Sequence, residues 1–126
     1  MPYRTPLARV RGLGSAHAGA EHFWRQRLTA VANVFLLSFL IWLLTTLAGA
    51  EYATVKATLA KPQIAIPLLL LIVSGLVHMR LGMQVIIEDY VHSEGRKVIA
   101  LMLSSFFVFA VGLACLFAVL KLSFGA

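Results

Sequence analysis

The run Ser74-Gly75-Leu76-Val77-His78-Met79-Arg80-Leu81-Gly82-Met83-Gln84-Val85-Ile86-Ile87-Glu88-Asp89-Tyr90 decides how the rest of the chain is read. It begins as the second half of a long apolar segment and ends in charged residues. An ionisable histidine stands inside it, where hydrocarbon makes such a group costly, and in a membrane segment that position marks a functional site. At helical pitch Ser74, His78 and Gly82 fall at i, i+4 and i+8 on one face, with Leu71 and Gly75 beside them. His78 therefore has almost no side chain directly above or below it. Two readings follow. The small residues leave a shallow slot with one nitrogen ligand pointing into it, which suits a flat macrocycle such as haem. Alternatively, His78 hydrogen-bonds a neighbouring helix and the glycines let that helix approach. Tyr90 follows His78 by about 18 Å along the helix axis, with Asp89 beside it. Both then lie near the membrane surface, within reach of a polar-headed quinone.

Composition sets the class. The chain has 126 residues, 60% of them hydrophobic and 13% charged, with a mean hydropathy of +0.89. A soluble domain of this size cannot cover so many apolar side chains, so residues 1–126 are expected to form one all-α membrane unit with no second domain. There is no nucleotide-binding glycine loop, zinc-type cysteine pairing or nucleophile elbow. Cys115 is the sole cysteine, so an internal disulfide cannot form. The net charge of +6 sits on residues that flank apolar spans, the distribution of topology determinants and not of a nucleic-acid binder.

Residues 1–27 form a polar N-terminal segment containing Arg4, Arg9 and Arg11, where Pro2, Pro6, Gly12, Gly14 and Gly19 disfavour a long helix. It lacks the apolar stretch of a secretory signal. Its end, Glu21-His22-Phe23-Trp24-Arg25-Gln26-Arg27, is dense in aromatic and cationic groups. Phe23 and Trp24 suit the headgroup level, and Arg25 and Arg27 can meet lipid phosphate. In the functional reading, His22 or Arg27 reaches a cofactor carboxylate or a quinone oxygen, for which the arginine fork is well shaped. In the plainer one they anchor the chain at the interface. Uncharged spans follow over about 28–49, 63–87 and 98–120, each long enough for a hydrocarbon core of about 30 Å. Asn33 in the first reads as interhelical glue, and Arg80 in the second as a residue that snorkels. Residues 51–62 and 88–97 are the expected loops, with Gly95 breaking the helix. Ala110, Ala114 and Ala118 form a small-residue ridge that invites a helix neighbour.

Positive charge predicts the orientation. Arg4, Arg9, Arg11, Arg25 and Arg27 precede the first span, and Arg96 and Lys97 lie in the second loop. The opposite side carries only Lys56, Lys61 and Lys121. The N-terminus is therefore expected to be cytoplasmic and the C-terminus periplasmic, with His22, Arg27, Asp89 and Tyr90 at the cytoplasmic face. A low-spin haem needs two axial ligands, and this chain has one histidine inside a span, so the second would come from another chain. A quinone needs a hydrogen-bond donor at its carbonyl oxygen, which Tyr90 supplies, while Asp89 can orient it or relay a proton. In the plainer reading Tyr90 belongs to an aromatic belt and Asp89 to a solvated helix end.

The spacing His78-x-x-x-Gly82-x-Gln84-x-x-x-x-Asp89-Tyr90-Val91 closely resembles the small hydrophobic membrane-anchor subunit of succinate dehydrogenase (respiratory complex II). The string Gln84 to His92 looks like its alphaproteobacterial and mitochondrial branch, and Gly19-Ala20-Glu21-His22-Phe23-Trp24-x-x-Arg27-x-Thr29-Ala30 resembles its pre-span segment. The resemblance covers nearly the whole chain, and its specific part is the His-to-Asp-Tyr spacing. It implies a three-span half of a heterodimeric six-helix anchor in the bacterial inner membrane, or alternatively the mitochondrial one. His78 would be the axial ligand of haem b, with the other ligand on the companion cytochrome b anchor subunit. Tyr90 would hydrogen-bond ubiquinone beside Asp89, and Arg27 would lie near the haem propionates and quinone pocket. His22 has no role fixed by the resemblance. The flavoprotein and iron–sulfur subunits would dock on the cytoplasmic face. Succinate would be oxidised on the flavoprotein, so this chain would not be an enzyme alone. Two other functions fit the residues. One is another haem b anchor, such as that of fumarate reductase or a b561-like homodimer. The other is a small proton-coupled transporter with His78 as relay.

Overall fold

A computed structural model describes residues 5–11 and 17–124. Arg4, Gly12 and Gly14 of the N-terminal segment lie outside the described residues, as does the side chain of Arg9. The regular structure of the described chain is all helical: α1 (Pro6–Val10), α2 (His17–Leu47), α3 (Tyr52–Leu59), α4 (Pro62–Tyr90) and α5 (Glu94–Phe124). No strand occurs among the described residues, and α2, α4 and α5 are long and apolar enough to cross a membrane. The expected all-α, three-span class is therefore what the chain adopts.

Each long helix overruns its apolar span, because a helix ends where its backbone finds other partners and not where hydrocarbon ends. α2 starts at His17 and passes through Gly19. One glycine costs only about 1 kcal/mol in a helix, and Glu21 and Arg25 pair one turn apart on the surface. Inside the span the hydroxyls of Ser38, Thr45 and Thr46 donate back to the carbonyls of Val34 and Trp42 at 2.8 Å, so they need no partner elsewhere. Gly49 ends the segment with φ +78°, a left-handed position that favours glycine.

Both expected loops are shorter than the sequence predicts. Residues 51–62 hold α3, whose last turn accepts a hydrogen bond at Leu59 O from Ser123 Oγ (3.1 Å) near the end of α5. The second loop reduces to Val91, His92 and Ser93. Gly95 does not break the helix there: it sits in the first turn of α5, beside Glu94, whose charge suits a helix start. Pro62 opens α4 directly after its cap residue Lys61, and Pro67 follows within the second turn.

α4 is the central helix, packed on α2 on one side and on α5 on the other, and α3 crosses the ends of α4 and α5. The core is thin. Its buried apolar members among the described residues are Leu43, Ala65, Leu68, Ile87 and Val108. The chain exposes 9566 Å², whereas a folded soluble monomer of its mass exposes about 6,600 Å². Phe35, Trp42, Phe106, Phe109 and Phe117 are all on the outside. The ridge of Ala110, Ala114 and Ala118 also faces outward and is not used within the chain. The small residue that carries α4–α5 contact is Gly112, where a Cβ would come 2.7 Å from Leu76 Cδ1.

Gly112→Val is therefore expected to destabilise the α4–α5 pair by about 1–3 kcal/mol, since Leu76 must leave its rotamer to admit a branched side chain. Thermal melting in mild detergent reads this as a lower midpoint. An unchanged midpoint would show that the contact is not tight.

Candidate functional site

The α2–α4 seam is polar on both sides. On α2, His22, Gln26, Thr29 and Asn33 follow one another at helical spacing. On α4, Ser74, His78 and Gly82 face them. His78 Nδ1 lies 3.2 Å from Thr29 Oγ1. Ser74 Oγ donates a long hydrogen bond of 3.5 Å to Thr29 O. A Cβ built on Gly82 would lie 3.6 Å from Gln26 Nε2. The slot that the small residues of α4 leave is thus filled by α2 of the same chain. The histidine meets a neighbouring helix, and the glycine is what lets that helix come close.

This contact does not use up His78. Its ring is half-buried, and Nε2 has no hydrogen-bond partner among the described residues. Nε2 is thus the ring nitrogen that the contact with Thr29 leaves available. The buried side-chain polar atoms with no partner among the described residues are His22 Nε2, Gln26 Oε1 and Asn33 Oδ1, all on the same stripe of α2. Three buried polar atoms without a partner along one helix face are costly in an apolar medium.

His22 and Arg27 are brought together. They line one hollow of about 320 Å³ with Phe23, Gln26 and Val85. The Arg27 guanidinium carbon sits 4.7 Å from the Phe23 ring centroid, a cation–π contact. Arg27 has no carboxylate partner among the described residues. Tyr90 lies at the same end of the bundle but in a different hollow, of about 310 Å³, with Val91, His92 and Arg96. It ends α4 with 78% of its surface exposed. Asp89 is exposed and pairs with no cation among the described residues. Arg80 is exposed on the other side of α4, lining a hollow with Gln84, Ser104 and Ser105, away from the His78 seam.

No group of three or more His, Cys, Asp or Glu able to hold a metal occurs among the described residues. A haem held between chains would take one imidazole nitrogen of His78, with Arg27, which has no carboxylate partner among the described residues, on the neighbouring helix. Sequence reasoning flags His78 and Arg27 but passes over Thr29 and Gln26. The signal for them is the i, i+4, i+7, i+11 spacing of His22, Gln26, Thr29 and Asn33, a polar stripe running into an apolar span.

Comparison with known proteins gives one family. The model of the succinate dehydrogenase/fumarate reductase transmembrane subunit family matches residues 1–119. The succinate dehydrogenase hydrophobic membrane anchor subunit of Paracoccus denitrificans is 32% identical over 126 residues, covering 100% of this chain and 97% of that protein. The protein of the same name from Rickettsia bellii is 33% identical over 89 residues, covering 71% of each chain. No solved structure matches.

At Gly82 an added Cβ meets Gln26 only at ordinary contact distance. Gly82→Ala is therefore expected to leave the melting midpoint unchanged to within about 0.5 kcal/mol, whereas Gly82→Leu should cost about 1–3 kcal/mol by pushing α2 off α4. Equal tolerance of both substitutions would mean that the seam is looser than its distances imply.

Proposed function

The chain belongs to the succinate dehydrogenase/fumarate reductase transmembrane subunit family, and from that premise we propose that it is the smaller half of a heterodimeric anchor that helps bind haem b and ubiquinone. It is a multi-pass membrane protein with an anchor role. In the proposed complex it pairs with a companion cytochrome b anchor and tethers the flavoprotein and iron–sulfur subunits to the bacterial inner membrane. Its N-terminus is cytoplasmic, as its arginines favour. It is not a catalyst alone, because electrons arrive from subunits that hold the succinate chemistry.

The observation that carries the reading is His78, a half-buried histidine within a membrane-length helix, with one nitrogen on Thr29 and the other without a hydrogen-bond partner among the described residues. Haem bound at that nitrogen would supply a one-electron redox centre. The chain's own part is to present the ligand and to offer cations near the surface. Arg27, free of carboxylate partners among the described residues, suits propionates. His22 lines the same hollow and completes the cofactor-facing set on α2, with its Nε2 turned into the chain. Tyr90 donates a hydrogen bond to a quinone carbonyl oxygen, and Asp89, next to it and without a cation partner among the described residues, orients the headgroup or relays a proton from the aqueous side. The surface excess and the outward phenylalanines are what a half-anchor shows before its companion and lipid cover it.

His78→Ala is expected to abolish the b-type absorbance of the purified complex. Tyr90→Phe should keep that absorbance and lower quinone reduction by roughly 2- to 10-fold, the worth of one neutral hydrogen bond. Full absorbance in His78→Ala would remove the ligand role, and unchanged turnover with unchanged quinone affinity in Tyr90→Phe would remove the hydroxyl role.

A further inference from the structure

The Thr29 hydroxyl has one proton and three neighbours. It lies 2.8 Å from Arg25 O and 3.1 Å from Gln26 O, both backbone carbonyls of its own helix, and 3.2 Å from His78 Nδ1. A carbonyl oxygen cannot donate, so the hydroxyl gives its proton to one of those carbonyls, as threonines in helices commonly do. Toward α4 it then presents only lone pairs. With the hydroxyl proton so engaged, His78 Nδ1 is the donor in that contact. A neutral imidazole carries one N–H, so its Nε2 is left with a lone pair. Little else can engage Nδ1. The Ser74 hydroxyl is directed to Thr29 O, and Gly82, one turn beyond His78, has no side chain.

We infer that Thr29 is a positioning residue: it holds His78 in the Nδ1–H tautomer and so keeps the Nε2 lone pair for an iron. This rests on the reading of His78 as haem ligand. A hydrogen bond at the second ring nitrogen fixes the orientation of a ligating histidine and raises its basicity. Here the acceptor is a neutral hydroxyl that is itself oriented by the backbone of α2. The ligand's donor strength is thereby set from the α2 backbone through one side chain, and Gly82 matters because it lets α2 come close enough to do so.

The test uses the complex assembled in its native membrane, with Thr29→Ser, Thr29→Val and Thr29→Ala beside the unsubstituted protein. Haem per flavin, the low-spin magnetic resonance signal and the midpoint potential of the b-type haem are read in each. Thr29→Ser keeps the hydroxyl and should match the unsubstituted complex in all three. Thr29→Val keeps the shape and loses the acceptor, which weakens donation to iron and favours the ferrous state. The ferrous-to-ferric ratio at a fixed potential should rise about tenfold, equivalent to ~59 mV for a one-electron couple. Loss of haem from a complex whose subunits still co-purify would be the stronger form of the same result. Thr29→Ala provides the same reading should the valine variant not assemble. A Thr29→Val complex with unchanged haem content, signal and potential overturns the inference, as does a Thr29→Ser complex as altered as Thr29→Val. Absence of haem from the unsubstituted complex would instead overturn the reading of His78 itself.

Discussion

A polar side chain inside hydrocarbon must find its partner within protein, and the contact between Thr29 and His78 is where this chain meets that demand. The rest of the architecture follows from it. For α2 to bring a hydroxyl to the histidine, the face of α4 around His78 has to be nearly bare, and Ser74 and Gly82 make it so. For the hydroxyl to accept, its own proton needs another destination, and the helical carbonyls behind it provide one. Sequence spacing, helix geometry and tautomer are thus linked through a single pair of residues on neighbouring helices.

The polar groups that are not satisfied are equally informative. Ser38, Thr45 and Thr46 close on their own backbone. His22, Gln26 and Asn33 keep buried atoms with no partner among the described residues. The former can face lipid at little cost, while the latter lie along the stripe of α2 that also carries Thr29. With a thin core and many aromatic side chains outside, the chain has the surface of a piece cut from a larger body. That fits membership of a family of complex subunits and the anchor names of its relatives.

The spans are legible in the sequence because hydrocarbon thickness imposes a length that soluble folds do not need. His78 is legible because an ionisable group there is expensive. Which face meets which neighbour is not legible, since in lipid every apolar face is equally content. The ridge of Ala110, Ala114 and Ala118 permits a close helix contact but does not demand one, and the chain packs through Gly112 instead. The bare face around His78 is open to two readings at the sequence level, because a slot for a flat ligand and a seat for a helix require the same small residues. α3 escapes a reading that takes the segment between two spans from its charges, although Ala53, Ala57 and Leu59 are good helix formers. Thr29 stands inside a recognisable motif, yet its role is visible only once α2 is laid against α4.

The most direct measurement is a dithionite-reduced minus oxidised spectrum of the unsubstituted chain, purified in mild detergent with whatever subunits remain attached. A b-type α-band, with flavoprotein, iron–sulfur and companion anchor subunits co-eluting, is the result expected of a half-anchor that presents His78 Nε2 to iron. A well-folded preparation with those partners attached and no haem band would contradict it.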